Sequence, residues 1–302
     1  MFLSLREKGL KAAPLLLVEG NTLCVIFQRK KDEWKRLADG LSERNLGTEI
    51  ISYCDHLYAF PSDGKGGRYD PVVNGWSTLD LSIPRSTKVA VVSGEIYAIE
   101  INTSTTKSTV KRYDFERYSW QPVLSSHEGC RELSCVVAAG NHLYVCGGVL
   151  EDGFVTKAER FDTVGNKWEE IASMQQKRGN AFGVASERKI FVAGGRLRQT
   201  SLKTCEMFNV STNEWQFVGS LNVRRMYGSM LCLKGTLYVL GGEDYFGGSR
   251  LRVECYDPTE NKWIQKTTIP ENMISKYDYN IFTSCVLKLS NGVLDKLDVI
   301  KE

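Results

Sequence analysis

Tryptophan occurs at Trp34, Trp76, Trp120, Trp168, Trp215 and Trp263 and nowhere else, with gaps of 42, 44, 48, 47 and 48 residues. Spacing this even along a chain of 302 residues marks a repeat, and a repeat of this period builds its fold from copies of one small unit. Seven residues before each tryptophan stands another aromatic: Phe27, Tyr69, Tyr113, Phe161, Phe208 and Tyr256. Asp follows four of these, and Gln28 and Asn209 follow the others.

Registering the units on tryptophan aligns Leu57-Tyr58, Ile96-Tyr97, Leu143-Tyr144, Ile190-Phe191 and Leu237-Tyr238. Glycine pairs follow three of them: Gly147-Gly148, Gly194-Gly195 and Gly241-Gly242. A full unit reads as a small-residue apolar run (Gly183-Val184-Ala185), a turn, a hydrophobic run ending in Gly-Gly, a loop, a run ending in aromatic-Asp, a polar turn, and Trp. That is four short strands, with Gly, Asn, Asp and Thr in the turns where the backbone must be permissive. No helical periodicity follows residue 13. The spacing therefore predicts an all-β, six-bladed propeller with four antiparallel strands per blade. The glycine pairs allow close backbone approach near the axis, while each tryptophan and its aromatic fill the outer blade and the seam to its neighbour.

The two ends predict how the ring closes. Segments 14–20, 22–28 and 34–38 read as the second, third and fourth strands of a blade without its innermost strand. Segment 282–289 aligns with the innermost runs 183–185 and 229–233, so a C-terminal strand is expected to complete the N-terminal blade. The expected organisation is a lead over 1–13, a propeller over 14–290, and a tail over 291–302. The lead has an apolar stripe (Leu3, Leu5, Leu10) that suits either the last turn of a preceding helical domain or a plain extension.

Charge is nearly balanced, with 39 basic and 36 acidic residues, so nothing draws the chain as a whole to nucleic acid or a membrane. Nine cysteines without a CxxC pair fall mostly in apolar runs, as reduced buried thiols do, and no signal peptide or membrane span is read. The expected location is the cytoplasm, with the nucleus and cytoskeleton as further sites. The histidines are His56, His127 and His142, two of them at one repeat position before Leu-Tyr, and they read as turn residues. Neither metal-ligand spacing nor a nucleophile–base pair is present, so the chain reads as non-catalytic, with no cofactor and no metal. Cys130 beside Arg131 reads as a plain exposed cysteine rather than a reactive thiol.

With Gly-Gly, aromatic-Asp and Trp in this order and spacing, the chain resembles the kelch-repeat family, and its six units resemble the propeller of the BTB-kelch adaptors. A WD40 propeller would show Gly-His and Trp-Asp pairs, and neither dipeptide occurs. The resemblance covers about residues 15–290 and is strongest from Ala138 onward. It departs from the pattern at Glu19-Gly20, Phe60-Pro61 and Glu100-Ile101, where Gly-Gly is expected.

The resemblance implies a protein-recognition module whose partner is a protein substrate or short peptide. In such adaptors BTB and BACK domains, absent from this sequence, bind the cullin-3 ubiquitin ligase. It further implies a binding mouth built from the loops that enter each innermost strand and the loops after Gly-Gly. Mapped here, the entering loops hold Lys88, Arg131, Arg178, Asn180, Arg224, Arg225, Tyr227, Tyr277 and Asp278. The loops after Gly-Gly hold Arg196, Arg198, Asp244, Tyr245 and Phe246. Arginines interleaved with aromatics suit a peptide carrying carboxylates or a phosphate, because a guanidinium offers paired hydrogen bonds and rings offer flat contact area. Three alternatives stand beside this reading: arginines that are solvated or paired with Glu132, Glu243 and Asp244, a packed-down Tyr245-Phe246, and a mixed or apolar site. A second functional reading is an actin-associated or scaffolding protein that uses a broad outer surface.

Overall fold

The computed structural model describes residues 10–18, 24–28, 33–36, 48–62, 65–84, 86–102, 107–128, 131–246, 251–269, 282–290 and 298–299. These residues are all-β, with no helix among them. Five four-stranded antiparallel sheets follow one another along the chain as blades of a propeller. Blade A comprises Glu49–Tyr53, His56–Phe60, Gly66–Asp70 and Gly75–Leu79; blade B comprises Lys88–Val92, Glu95–Asn102, Lys107–Asp114 and Ser119–Glu128. Blade C comprises Cys135–Ala139, His142–Cys146, Ala158–Asp162 and Lys167–Ile171; blade D comprises Phe182–Ser186, Lys189–Ala193, Cys205–Asn209 and Glu214–Val218. Blade E comprises Ser229–Leu233, Thr236–Leu240, Arg252–Asp257 and Lys262–Thr268.

A further sheet joins both ends of the chain in the order Phe282–Ser290, Leu10–Val18, Cys24–Gln28, Glu33–Arg36 and Asp298–Val299. Phe282–Ser290 runs antiparallel to Leu10–Val18 along its whole length, and it lies between the first strands of blades E and A.

The seven-residue spacing follows from a hairpin. Each tryptophan stands directly across from its aromatic, as in Phe27 and Trp34, Tyr69 and Trp76, Phe161 and Trp168, and Phe208 and Trp215. In blades A to E the paired ring centroids lie 5.4, 5.2, 5.4, 5.0 and 5.2 Å apart. The acidic or amide residue after the aromatic closes the turn with its own side chain. Asp70, Asp114, Asp162, Asn209 and Asp257 each accept at Oδ1 from the backbone N–H two residues on, at 2.8 to 3.0 Å. The turn ends in a left-handed residue two places before tryptophan: Asn74, Tyr118, Asn166, Asn213 and Asn261. Asparagine tolerates that conformation best among residues with a Cβ, and it occupies four of these five places.

The core lies between blades. One apolar cluster joins Cys135, Tyr144 and Met174 to Ile190, Phe208 and Trp215 across the C–D seam, and another joins Phe182, Cys205 and Leu221 to Met230, Val239 and Trp263 across D–E. Similar clusters fill the A–B and B–C seams. Blades sandwiched this way bury both faces of their second strands, which is why Leu143–Cys146 and Ile190–Ala193 are buried without alternation. Polar bonds fasten the same seams. Trp215 Nε1 donates to the Ala172 carbonyl at 2.7 Å and Trp263 Nε1 to the Gly219 carbonyl at 2.8 Å. Asn213 and Asn261 accept from the N–H of those same two residues.

Candidate functional site

The first strands of blades A to E start at one end of the axis. Their opening residues, with Ser284, line a cavity of about 380 Å³ that includes Glu49, Lys88, Ser134, Asn180, Phe182 and Tyr227. Strands alternate in direction, so the connections after each second strand emerge at this same end, which forms a mouth. The tips between third and fourth strands lie at the opposite end.

A fixed backbone device leads into the mouth. Ser86, Leu133, Asn180 and Tyr227 stand 47 residues apart and all have left-handed φ, between 53° and 63°. Two bonds chain them from blade to blade: Asn180 N–H donates to the Leu133 carbonyl at 2.8 Å, and Tyr227 N–H to the Asn180 carbonyl at 3.2 Å. Holding non-glycine residues in this conformation costs about 1 kcal/mol or more each, so the surrounding bonds must impose it.

Just ahead of this device lie three arginines that the sequence suggested for partner contact, and the structure corrects that expectation. Arg131, Arg178 and Arg225 are 2%, 0% and 0% exposed. Each is ion-paired to an acid on the third strand of its own blade: Glu159, Glu206 and Glu254. Each also donates to the carbonyl of the first glycine of its blade's pair, Gly147, Gly194 and Gly241, at 2.8 Å. The main chain of the arginine faces the preceding blade. Gly148 N–H donates to the Arg178 carbonyl at 2.8 Å, and Gly195 N–H to the Arg225 carbonyl at 2.9 Å. A Cβ on Gly147 would run into that Arg178 carbonyl, which explains why glycine stands there. Arg178 and Arg225 therefore knit glycine pairs of successive blades, and all three arginines are closed to a ligand. The acids that pair with them are Glu159, Glu206 and Glu254, on the third strands, where Glu132, Glu243 and Asp244 were suggested.

The acids are fully engaged as well. Glu206 accepts from Gln175 and Gln176 N–H, and Glu254 from Asn222. Burial alone would raise Glu159, but hydrogen bonds from His127, Lys157 and Arg131 outweigh it and lower the carboxyl from 4.5 to about 2. His127 also stacks on Trp168 at 4.5 Å, so it serves the B–C seam. Burial drives the thiols of Cys135 and Cys205 up to about 12 and so leaves them unreactive near neutral pH.

Other suggested residues lie on connections at the mouth end, outside the lining of the cavity itself. Arg198 and Arg224 are exposed. Arg198 occupies the two-residue tip of a hairpin, Arg196–Leu197 and Thr200–Ser201, that rises after Gly195. Arg196 is half-buried, its backbone bonded both ways to Gly179 and its guanidinium 5.6 Å from the centre of the Phe154 ring. Phe154 belongs to the matching hairpin of blade C, Val149–Leu150 and Gly153–Phe154, whose tip carries exposed Glu151 and Asp152. Tyr245 and Phe246 are 41% and 85% exposed, so they are not packed down; their rings meet edge to face at 5.4 Å. Tyr245 N–H donates to Ser201 Oγ at 2.8 Å, which docks this loop onto the blade D hairpin.

Lys88 starts a strand rather than sitting in a loop, and it pairs with Glu49 at 2.7 Å across the A–B seam. Asn180 is buried, and Tyr277, Asp278 and Cys130 lie outside the described residues. Lys177 was missed. It is exposed one residue before Arg178, as Arg224 is before Arg225, and the 47-residue step would have found it.

The Kelch motif matches residues 130–175, 177–222 and 224–268, each match beginning one residue ahead of a buried arginine. Kelch-like protein 25 of Homo sapiens is 31% identical over 267 residues, which is 82% of this chain and 37% of that protein. Kelch-like protein 23 of Homo sapiens is 28% identical over 264 residues, 83% of this chain and 38% of that protein. The chain is a kelch-repeat propeller of the kelch-like family. Kelch-like protein 25 of Xenopus tropicalis is 28% identical over 212 residues, 68% of this chain and 27% of that protein. The chain thus spans between 27% and 38% of the length of these curated relatives. The solved structure of YjhT has a TM-score of 0.67 at 16% identity over 81% of this chain and 90% of that one, a likeness of fold.

The kelch motifs cover blades C, D and E, where the arginine–glutamate pair accompanies Gly-Gly. Blade B keeps a half-buried charge link in reverse: Glu100 stands where the first glycine would be, and Lys111, two places before Tyr113, bonds it at 2.7 Å. In blade A, Gly67 stands two places before Tyr69, where blades C to E carry the acid.

Proposed function

We propose that this kelch propeller is the substrate-recognition domain of a BTB-kelch adaptor of a cullin-3 ubiquitin ligase, itself non-catalytic, binding a short acidic peptide of its protein substrate at the mouth. The observation that carries this reading is the contrast between adjacent arginines. Arg225 is sealed and paired, while Arg224, Arg198 and Lys177 stay exposed around one rim, with Tyr245 and Phe246 beside them. Exposed guanidinium groups and flat rings at a concave site suit carboxylates on a peptide. The reading includes a propeller of six blades over about residues 14–290, the terminal sheet being the sixth and Phe282–Ser290 its innermost strand. The pairing of that strand with Leu10–Val18 supports this closure. A cytoplasmic location goes with the adaptor role.

Affinity capture from cell extract tests the proposal, using the chain and an Arg196→Ala, Arg198→Ala, Arg224→Ala variant at two salt concentrations. Partners should be lost from the variant and weakened by salt. Capture of cullin-3 is expected only when BTB and BACK domains are joined to the propeller.

A second reading, an actin-associated scaffold, draws on Val72, Val73, Tyr118 and Val164, which are 68% to 80% exposed on the opposite end of blades A to C. It predicts partners that survive the mouth variant and are lost on Val72→Ser, Val164→Ser.

A further inference from the structure

The mouth hairpins of blades C and D are equivalent in register, yet their tips carry opposite charge: Glu151 and Asp152 on one, Arg198 on the other. Arg198 holds a left-handed φ of 56° at that tip, a conformation strained for any residue with a Cβ, and its side chain is exposed. On the far side of the blade D hairpin lies the aromatic pair. Its backbone is anchored: Tyr245 N–H is bonded to both Ser201 Oγ and Asp244 Oδ1, while the Phe246 and Tyr245 rings meet edge to face with 85% of Phe246 open. Across the rim the order is therefore acidic tip, basic tip, aromatic platform.

Resting on the mouth reading above, we propose that the bound segment carries a bulky apolar side chain next to one or more carboxylates. The apolar side chain sits on Phe246 and Tyr245, and the carboxylates lie over Arg198 and Arg224. Glu151 and Asp152 repel any acidic continuation, so the segment lies in one direction only. The aromatic platform supplies contact area, and the opposed tips supply register rather than affinity. A peptide that is acidic throughout would leave the platform uncovered and place charge against blade C.

The test is selection from a displayed library of random linear peptides on the wild-type chain, followed by affinity measurement of the enriched peptides. The variants are Phe246→Ser, Arg198→Glu and Glu151→Lys, Asp152→Lys. All four positions are exposed, and circular dichroism and thermal melting confirm that each variant folds. Enriched peptides should pair Asp or Glu with Leu, Ile, Phe or Trp. They should bind Phe246→Ser and Arg198→Glu each about tenfold more weakly. Peptides selected anew on the Glu151→Lys, Asp152→Lys chain should extend their acidic run. Peptides that are acidic without an apolar residue, need Arg198 and ignore Phe246→Ser overturn this proposal and leave the mouth reading standing. Peptides that ignore Arg196→Ala, Arg198→Ala and Arg224→Ala together overturn both, as does a library that yields no enrichment.

Discussion

Arg178 donates from Nη2 to Glu206 Oε1 at 2.8 Å with neither side chain exposed, and each has further partners that leave it no freedom to turn outward. Removing one member of such a pair strands the other charge in the interior. Arg178→Met should therefore destabilise the domain by about 3 to 5 kcal/mol. The double change Arg178→Met, Glu206→Leu should cost clearly less than the sum of the single changes, as read from urea unfolding in a double-mutant cycle. An additive cycle would mean that the pair is not coupled.

Glu159 gives the same device a pH dependence. Its folded pKa, about 2, lies below the ordinary 4.5, so the stability it adds is present above the ordinary value and is lost as pH falls toward the folded one. A depression of that size corresponds to about 3 kcal/mol. Between pH 5 and pH 2, roughly the window set by those two values, the wild-type melting temperature should fall more steeply than that of Glu159→Gln, measured by thermal scans in a pH series. Parallel curves would remove Glu159 from the account.

The period of the chain made the blades, the turn chemistry and the seam legible because each depends on residues at fixed offsets: Asp162 closes its own turn and Trp215 reaches back to Ala172. Burial of Arg131, Arg178 and Arg225 was not read, since an arginine in a loop is ordinarily solvated. The signal was nevertheless there. The acids follow these arginines by 28, 28 and 29 residues, always two places before the blade's aromatic, and that fixed offset distinguishes a structural pair from a binding residue. Exposure of Phe246 and Arg198 has no such signature. It depends on how the hairpin of one blade shingles over the next, which lies outside the repeat.

Tryptophans at equivalent places should differ in what a phenylalanine replacement costs. Trp215 Nε1 donates across the seam, whereas Trp120 Nε1 is buried without a partner among the described residues. Trp215→Phe should lose about 1 kcal/mol more than Trp120→Phe, because only the former leaves a carbonyl unbonded. Guanidinium unfolding of the two variants measures the difference, and equal losses would assign the seam to packing alone.

At Gly195, φ is 86° and a Cβ would stand 2.6 Å from the Gly179 carbonyl. Gly195→Ala should cost at least about 2 kcal/mol, combining conformational strain with displacement of the blade D entry loop. By contrast Gly140, at φ 57° with nothing nearby, should lose about 1 kcal/mol as alanine from conformation alone. The gap between the two melting temperatures reports how tightly the glycine pair is packed against its neighbour.

Arg224 and Arg225 are neighbours in sequence with opposite surroundings, and they separate stability from recognition most sharply. Arg225 is buried against Glu254 and the carbonyls of Gly241 and Arg252, and desolvation lowers its pKa despite the glutamate. Arg225→Ala should remove about 3 to 5 kcal/mol of stability, and any loss of partner binding should track the unfolded fraction. Arg224→Ala should leave stability within about 0.5 kcal/mol of wild type. Its effect should appear in binding: captured partners should dissociate more readily, and the salt dependence of capture should flatten because one exposed charge is gone. Thermal melting paired with capture at two ionic strengths distinguishes the cases. Undiminished binding by a fully folded Arg224→Ala chain would remove that residue from the mouth's recognition surface.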